Sequence, residues 1–241
     1  MSRIIFIETS TSLCSTALSE GDRIVCSRRS AEPRAHASMT AVYVKEMLDE
    51  CGWRVQDCDA VCVSKGPGSY TGLRVGASTA KGLCFGGGIP LLSVGTLDTL
   101  AWQSLALGEP VTVPGMTVIP MIDARRMEVY AAPFKFTDDQ GFVRLGEVKP
   151  IVVDAGSFAD ELAAGPVIFI GDGVDKCRPA ITAAAEEKGI AAPIFVQQCP
   201  EASSMLRPAL GLLEKRAFED VAYFEPFYLK EFVATVGKRL F

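Results

Sequence analysis

The chain reads as an α/β protein of two closely joined lobes, each a mixed β-sheet flanked by helices. Three observations predict this. Residues 1–107 alternate in the order β-β-β-α-β-α-β-α, an antiparallel meander leading into parallel crossovers. Beyond Pro114 the pattern changes to short apolar runs separated by polar turns, as in antiparallel hairpins. No clean linker separates the two patterns, so two packed lobes are expected rather than two independent domains. The first lobe is expected over 1–103 with the tail from about 205 to 241, the second over 104–204.

The elements follow in order. Residues 3–8 (RIIFIE) form an apolar strand, and the hydroxyl-rich stretch 9–12 a tight turn. A second strand spans 13–19. Glu20, Gly21 and Asp22 make a hairpin turn into a third strand at 23–27, followed by a polar loop with Arg28, Arg29 and Arg34. Val44, Met47, Leu48 and Cys51 recur at helical spacing and predict a helix over 38–51. Met39, Val42 and Tyr43 widen its apolar arc beyond one core contact. Residues 60–64 (AVCVS) are a strand that runs into a glycine-rich loop at 66–72 and a helix over 73–85. Gly72, Gly76, Ala80 and Cys84 fall four apart on that helix, a stripe of small residues that lets another helix approach closely. A strand at 90–94 precedes a helix capped by Thr96 and reaching about Leu107. In the second half, strands are expected at 117–123, 127–136, 142–149 and 167–170, and helices at 177–188 and 203–217. The tail over 223–233 is irregular and apolar.

Composition narrows the function. With 49% hydrophobic and 22% charged residues the chain has enough apolar surface to fold on its own, which excludes wholesale disorder. The net charge of −5 arises wholly after residue 103, where 14 basic residues face 19 acidic ones. Neither half has the basic excess that coating nucleic acid requires. The apolar run at 83–94 is broken by Gly86, Gly87, Gly88 and Pro90, short of a membrane span. Residues 4–7 are too few for a secretory signal. The eight cysteines contain no C-x-x-C pair and sit mostly in apolar runs. They read as buried, reduced thiols of a cytoplasmic protein.

The glycine-rich loop is the strongest local feature, since a strand–loop–helix junction presents backbone N–H groups to an anion. It is neither of the common phosphate motifs. Thr71 stands where a Walker loop places its second glycine, and the glycines at 66, 68 and 72 are one residue too far apart for the dinucleotide fingerprint. The alternative is a structural turn in which Gly66 and Gly68 supply positive φ. His36 is the one histidine, so no two-histidine metal site can form, and Thr40 stands one helical turn later. His36 reads as an N-terminal capping or packing residue rather than a ligand. Glu8 closes the first strand before Thr9 and Ser10, and Asp123 and Asp172 end strands of the second half. All three acids could face one cleft, or serve as turn and capping acids.

The element order of the first lobe is that of the actin-like ATPase (ribonuclease H-like) fold, an analogy that carries no activity with it. Four stretches sharpen it: 4–19 (IIFIETSTSLCSTALS), 65–81 (KGPGSYTGLRVGASTAK), 121–130 (MIDARRMEVY) and 225–234 (EPFYLKEFVA). On these the chain resembles the TsaB (YeaZ) family, the accessory subunit of the bacterial tRNA threonylcarbamoyladenosine machinery. The resemblance runs from end to end. It implies an actin-like fold that has lost catalysis and binds no metal or cofactor of its own, ATP and metal belonging to partner subunits. The TsaD subunit holds a metal through two histidines one turn apart, and Thr40 replaces the second here. Glu8 replaces the aspartate usual in this fold, which weakens a phosphate–metal role. The vestigial nucleotide cleft would comprise Glu8, Thr9, Ser10, Gly66, Gly68, Ser69 and Asp172. The resemblance also implies a TsaD-like partner bound through the first-lobe helices, a TsaE-like ATPase joining that pair, a homodimer through the same face when the partner is absent, and only indirect contact with tRNA. The residues expected at that interface are Thr40, Tyr43, Val44, Met47, Leu73, Gly76, Ala77 and Ala80. Two rival readings remain: an independent actin-like kinase or ATPase using Glu8, the 66–72 loop and Asp172, and an M22 glycoprotease-like hydrolase.

Overall fold

Two sheets organise the chain, seen here in a computed structural model that describes residues 1–108, 111, 113 and 115–230. The last part of the tail, including 231–234 of the fourth family stretch, lies outside the described residues. The first sheet comprises β1 (Arg3–Glu8), β2 (Cys14–Glu20), β3 (Arg23–Ser30), β4 (Ala60–Ser64) and β5 (Leu91–Val94), in the order β3-β2-β1-β4-β5. β1 pairs antiparallel with β2 and parallel with β4, which is parallel to β5. Strands this apolar must be covered on both faces. Ile5, Ile7, Val61 and Val63 pack under α1 (Ala35–Cys51) and α2 (Tyr70–Gly87). Ile4, Phe6, Ala60 and Cys62 face the other way, onto Ala202, Met205 and α6 (Leu206–Glu214).

The second sheet holds β6 (Thr117–Asp123), β7 (Glu128–Ala131), β8 (Phe134–Thr137), β9 (Gly141–Arg144), β10 (Lys149–Val152), β11 (Val167–Gly171) and β12 (Ile194–Gln197). Its order is β10-β7-β6-β11-β12, with β8 also paired to β6 and β9 to β8. α4 (Ala159–Ala164) and α5 (Val174–Glu187) cover one face through Leu162, Cys177 and Ile181. α3 (Thr96–Gln103) buries Leu97, Leu100 and Ala101 against the other. The boundary expected at 103 therefore falls behind a helix that leaves the first sheet and packs on the second. The whole is the actin-like architecture.

Several elements differ from the sequence reading for physical reasons. β3 runs on to Ser30: Arg28 and Arg29 continue the ladder opposite Thr16 and Ser15, and their guanidiniums pair with Glu50 and Glu201. Gly95, not Thr96, occupies the N-cap of α3, and the Thr96 hydroxyl instead lies 3.0 Å from that of Ser64. The strand expected over 127–136 is two, broken at Ala132 and Pro133, since proline cannot donate to a ladder. The helix expected over 203–217 is a 3-10 turn at Ala202–Met205 followed by α6. All eight cysteines are free, as expected, and burial pushes the thiols of Cys58 and Cys84 up to about 11.

The small-residue stripe of α2 faces the sheet, not a second helix. A Cβ at Gly72 would lie 2.1 Å from the Thr9 carbonyl oxygen, and one at Gly76 would lie 2.3 Å from the Thr9 hydroxyl. Gly82, on the exposed side of the same helix, has open space around it. Gly72→Ala is expected to lower the unfolding free energy by about 1–3 kcal/mol through overpacking. Gly82→Ala is expected to raise it by up to about 1 kcal/mol through helix propensity. Urea unfolding of the two variants checks this, and equal losses at both positions would contradict the packing described.

Candidate functional site

The site is built where β1 turns into β2. Glu8, Thr9 and Ser10 are all buried there. The Ser10 amide donates to Glu8 Oε1 at 2.7 Å, folding the carboxylate back over its own turn, while Oε2 is buried with no hydrogen-bond partner among the described residues. Burial pushes the Glu8 carboxyl up to about 7, and the neighbouring Ser10 and Ser64 dipoles oppose only part of that shift.

The glycine-rich loop closes directly onto this turn. The Ser69 amide donates to the Ser10 carbonyl at 2.6 Å, and the Thr9 hydroxyl donates to the Gly72 carbonyl at 2.8 Å. A Cβ at Gly68 would lie 2.3 Å from the Ser10 carbonyl oxygen. Gly66 precedes a cis peptide to Pro67, has φ +102°, and would place a Cβ 2.8 Å from the Phe227 carbonyl oxygen. Only Gly66 needs its positive φ; Gly68 is required for close approach, which corrects the expectation that both supply positive φ. The Ser69 hydroxyl caps α2, accepting from the Gly72 amide at 3.3 Å. Loop and turn are thus tied together, and the Ser69 amide is taken up by the Ser10 carbonyl.

Asp172 stands apart from this cluster. Its carboxylate accepts from the Asp123 amide at 2.9 Å, and its carbonyl accepts from Gln197. Burial pushes it up to about 6. Asp123 in turn accepts from the Arg125 amide and the Lys176 ammonium, both at 2.6 Å. These bonds tie Asp172 to the ends of the second sheet, and among the described residues none reaches Glu8 or Ser10. Nor do any three His, Cys, Asp or Glu side chains gather to hold a metal among the described residues. Thr40 donates to the His36 carbonyl at 2.6 Å, where a second ligand would have to stand.

The expected interface residues fare differently. Thr40, Val44, Met47, Leu73, Gly76, Ala77 and Ala80 are buried inside the chain, most of them in the core beneath α1 and α2. Of the eight, only Tyr43 reaches the surface. The seven are corrected to core residues, because their side of each helix faces the sheet. The outward face carries others: Val42, 41% exposed, on α1, and Thr71, Val75, Ser78 and Thr79 on α2. Those α2 residues, with Ala37, Tyr70 and Arg74, line an open cavity of about 450 Å³ between the two helices. Arg74 sits 5.4 Å over the Tyr70 ring, which packs on Tyr228 at 4.9 Å. The sequence signal for this face was the register one residue off the glycine stripe: 71, 75 and 79 beside 72, 76 and 80.

The tail completes the site. Lys81 donates to the Ala222 and Phe224 carbonyls, and Phe224 enters the first core. The Phe227 amide then donates to the Lys65 carbonyl at 2.6 Å, Leu229 packs on the second core, and Lys230 pairs with Glu128.

Known proteins match this arrangement. The sequence model of the family described as TsaD: tRNA N6-adenosine threonylcarbamoyltransferase matches residues 30–238. The Escherichia coli tRNA threonylcarbamoyladenosine biosynthesis protein TsaB is 30% identical over 238 residues, 96% of each chain. The chain belongs to the TsaB family, and with it to the wider family that the TsaD model describes. The Bacillus subtilis TsaB protein is 29% identical over 174 residues, 70% of each chain. Among solved structures, YeaZ from Pseudomonas aeruginosa superposes with a TM-score of 0.77 at 26% identity, covering 95% of this chain and 100% of that one.

The buried carboxyl makes a prediction about pH. The folded chain holds a proton on Glu8 up to about pH 7, whereas the unfolded chain releases it near 4.5. Stability from this group is therefore fully present below the unfolded value and is lost as pH rises through about 7. The loss is on the order of 3 kcal/mol. Glu8→Gln is expected to flatten that decline, leaving the variant more stable than the parent above neutrality. Urea melts between about pH 5 and pH 8 read the difference; parallel curves for both proteins would refute it.

Proposed function

We propose that this chain is a non-catalytic scaffold and activator subunit of the apparatus that makes tRNA threonylcarbamoyladenosine, acting in the cytoplasm. It binds a TsaD-like transferase subunit through the outward face of α1 and α2, and a TsaE-like ATPase joins that pair. ATP and metal belong to those partners, and tRNA is reached through them. One observation carries the reading. The two loops that an actin-like enzyme would open around phosphate are bonded to each other here, from the Ser69 amide to the Ser10 carbonyl at 2.6 Å, with no room even for a methyl group on Gly68. That junction supports a role in binding rather than in phosphate chemistry. The cavity lined by Ala37 of α1 and by Val75, Ser78 and Thr79 of α2, together with the exposed Val42 of α1, supports a binding role for these helices. Without the partner, the same face is available to a second copy.

Two experiments test this. In a reconstituted mixture of the cognate TsaD-like and TsaE-like proteins with ATP, tRNA and threonylcarbamoyl-AMP, omission of this chain is expected to abolish multi-turnover formation of the modified nucleoside, read by mass spectrometry. The chain alone is expected to show no ATP hydrolysis above background. Full turnover without it would overturn the reading in favour of an independent enzyme. Separately, Val42→Asp and Ser78→Arg, both on the outward face, are each expected to weaken binding of the TsaD-like subunit by roughly tenfold or more with an unchanged melting temperature. Unaltered affinity in both variants would remove α1 and α2 from the interface.

A further inference from the structure

A second cavity, of about 480 Å³, lies between the two sheets on the far side of the glycine-rich loop from Ser10. Its position is where α/β proteins place ligands, outside the carboxyl ends of parallel strands. Lys65, Gly66 and Pro67 follow β4, and Gly95 follows β5. Arg144 and Glu147 enter from the second sheet, and Phe227 and Leu229 of the tail roof it. Alternate residues of the tail point apart, since Tyr228 turns away onto Tyr70.

The charges in this cavity are balanced and underused. Asp98 and Arg144 approach only to 3.8 Å, beyond a hydrogen bond. Among the described residues, the Lys65 ammonium and the Glu147 carboxylate make no hydrogen bond or ion pair. Two cations and two anions around one small space, with an apolar wall, suit a ligand carrying one charge of each sign. A nucleotide would set several negative charges against Asp98 and Glu147. Asp98 and Arg144 already offset one another at 3.8 Å, so a neutral ligand would leave the Lys65 and Glu147 charges without a partner.

We propose that this cavity binds a free α-amino acid with an apolar side chain. The ligand carboxylate lies between Lys65 and Arg144, its ammonium lies against Asp98 and Glu147, and its side chain packs on Phe227 and Leu229. The assignment is independent of the partner face and of any catalytic role.

The test is a titration of the full chain with the twenty free amino acids, read by calorimetry and by thermal shift. At least one with an apolar side chain is expected to bind below about 10 mM. Its methyl ester and its N-acetyl derivative are each expected to bind roughly tenfold or more weakly, because each removes one charge-assisted contact. Arg144→Ala and Asp98→Asn are expected to cause similar losses. Arg144 is a half-exposed residue near the end of β9, so its variant should keep the parent melting temperature. Absence of binding by every amino acid overturns the proposal. So does binding that survives esterification, N-acetylation or Arg144→Ala.

Discussion

The close approach of α2 to the turn after β1 is the constraint on which the rest of this structure depends. Glycines at 72 and 76 let the helix lie against Thr9, and glycine at 68 lets the loop lie against Ser10. Any larger residue there would lift the helix from the sheet. That one contact sets the height of α2, and with it the depth at which Ala77, Ala80 and Cys84 enter the core. It also decides which side of the helix remains for anything else to touch. The layout of this lobe thus follows from a packing distance.

The same contact accounts for the state of Glu8. A carboxyl at the end of a central strand would ordinarily meet water or a cation. Here the glycine-rich loop seals it, so it is held near neutrality by desolvation, with one oxygen on the Ser10 amide. A buried acid of this kind is costly to ionise and is poorly suited to grip a metal. Asp172, the acid that ends β11 in the second sheet, is bound into separate loops around Asp123 and Gln197. Two acids that the sequence could place in one cleft are thereby kept to separate tasks in two separate turns.

Much of this was legible in the sequence because periodicity reports burial directly. β1, β4 and β6 were placed to the residue, since strands buried on both faces read as unbroken apolar runs. What periodicity does not report is direction. The stripe of Gly72, Gly76, Ala80 and Cys84 was visible, but small residues suit a neighbouring helix and a neighbouring sheet equally well. Val44 and Met47 likewise showed an apolar face without saying whether it was the inner or the outer one. β12 and α4 escaped notice because four and six residues give too few repeats of any period. The contact between Ser69 and Ser10 could not be read at all, since it joins backbone atoms far apart in the chain.

The tail has a consequence for the order in which the protein takes shape. Phe224 belongs to the first core, Leu229 packs against the second, and Ala202, Met205 and α6 cover the rear face of the first sheet. A chain made from its N-terminus releases these residues well after the strands they cover. Until they emerge, Ile4, Phe6 and Cys62 lack their cover, and the glycine-rich loop lacks the Phe227 backbone that rests on it. The segment from α6 to Leu229 thus joins the two sheets into one body, and the first sheet cannot be covered until that segment has been made.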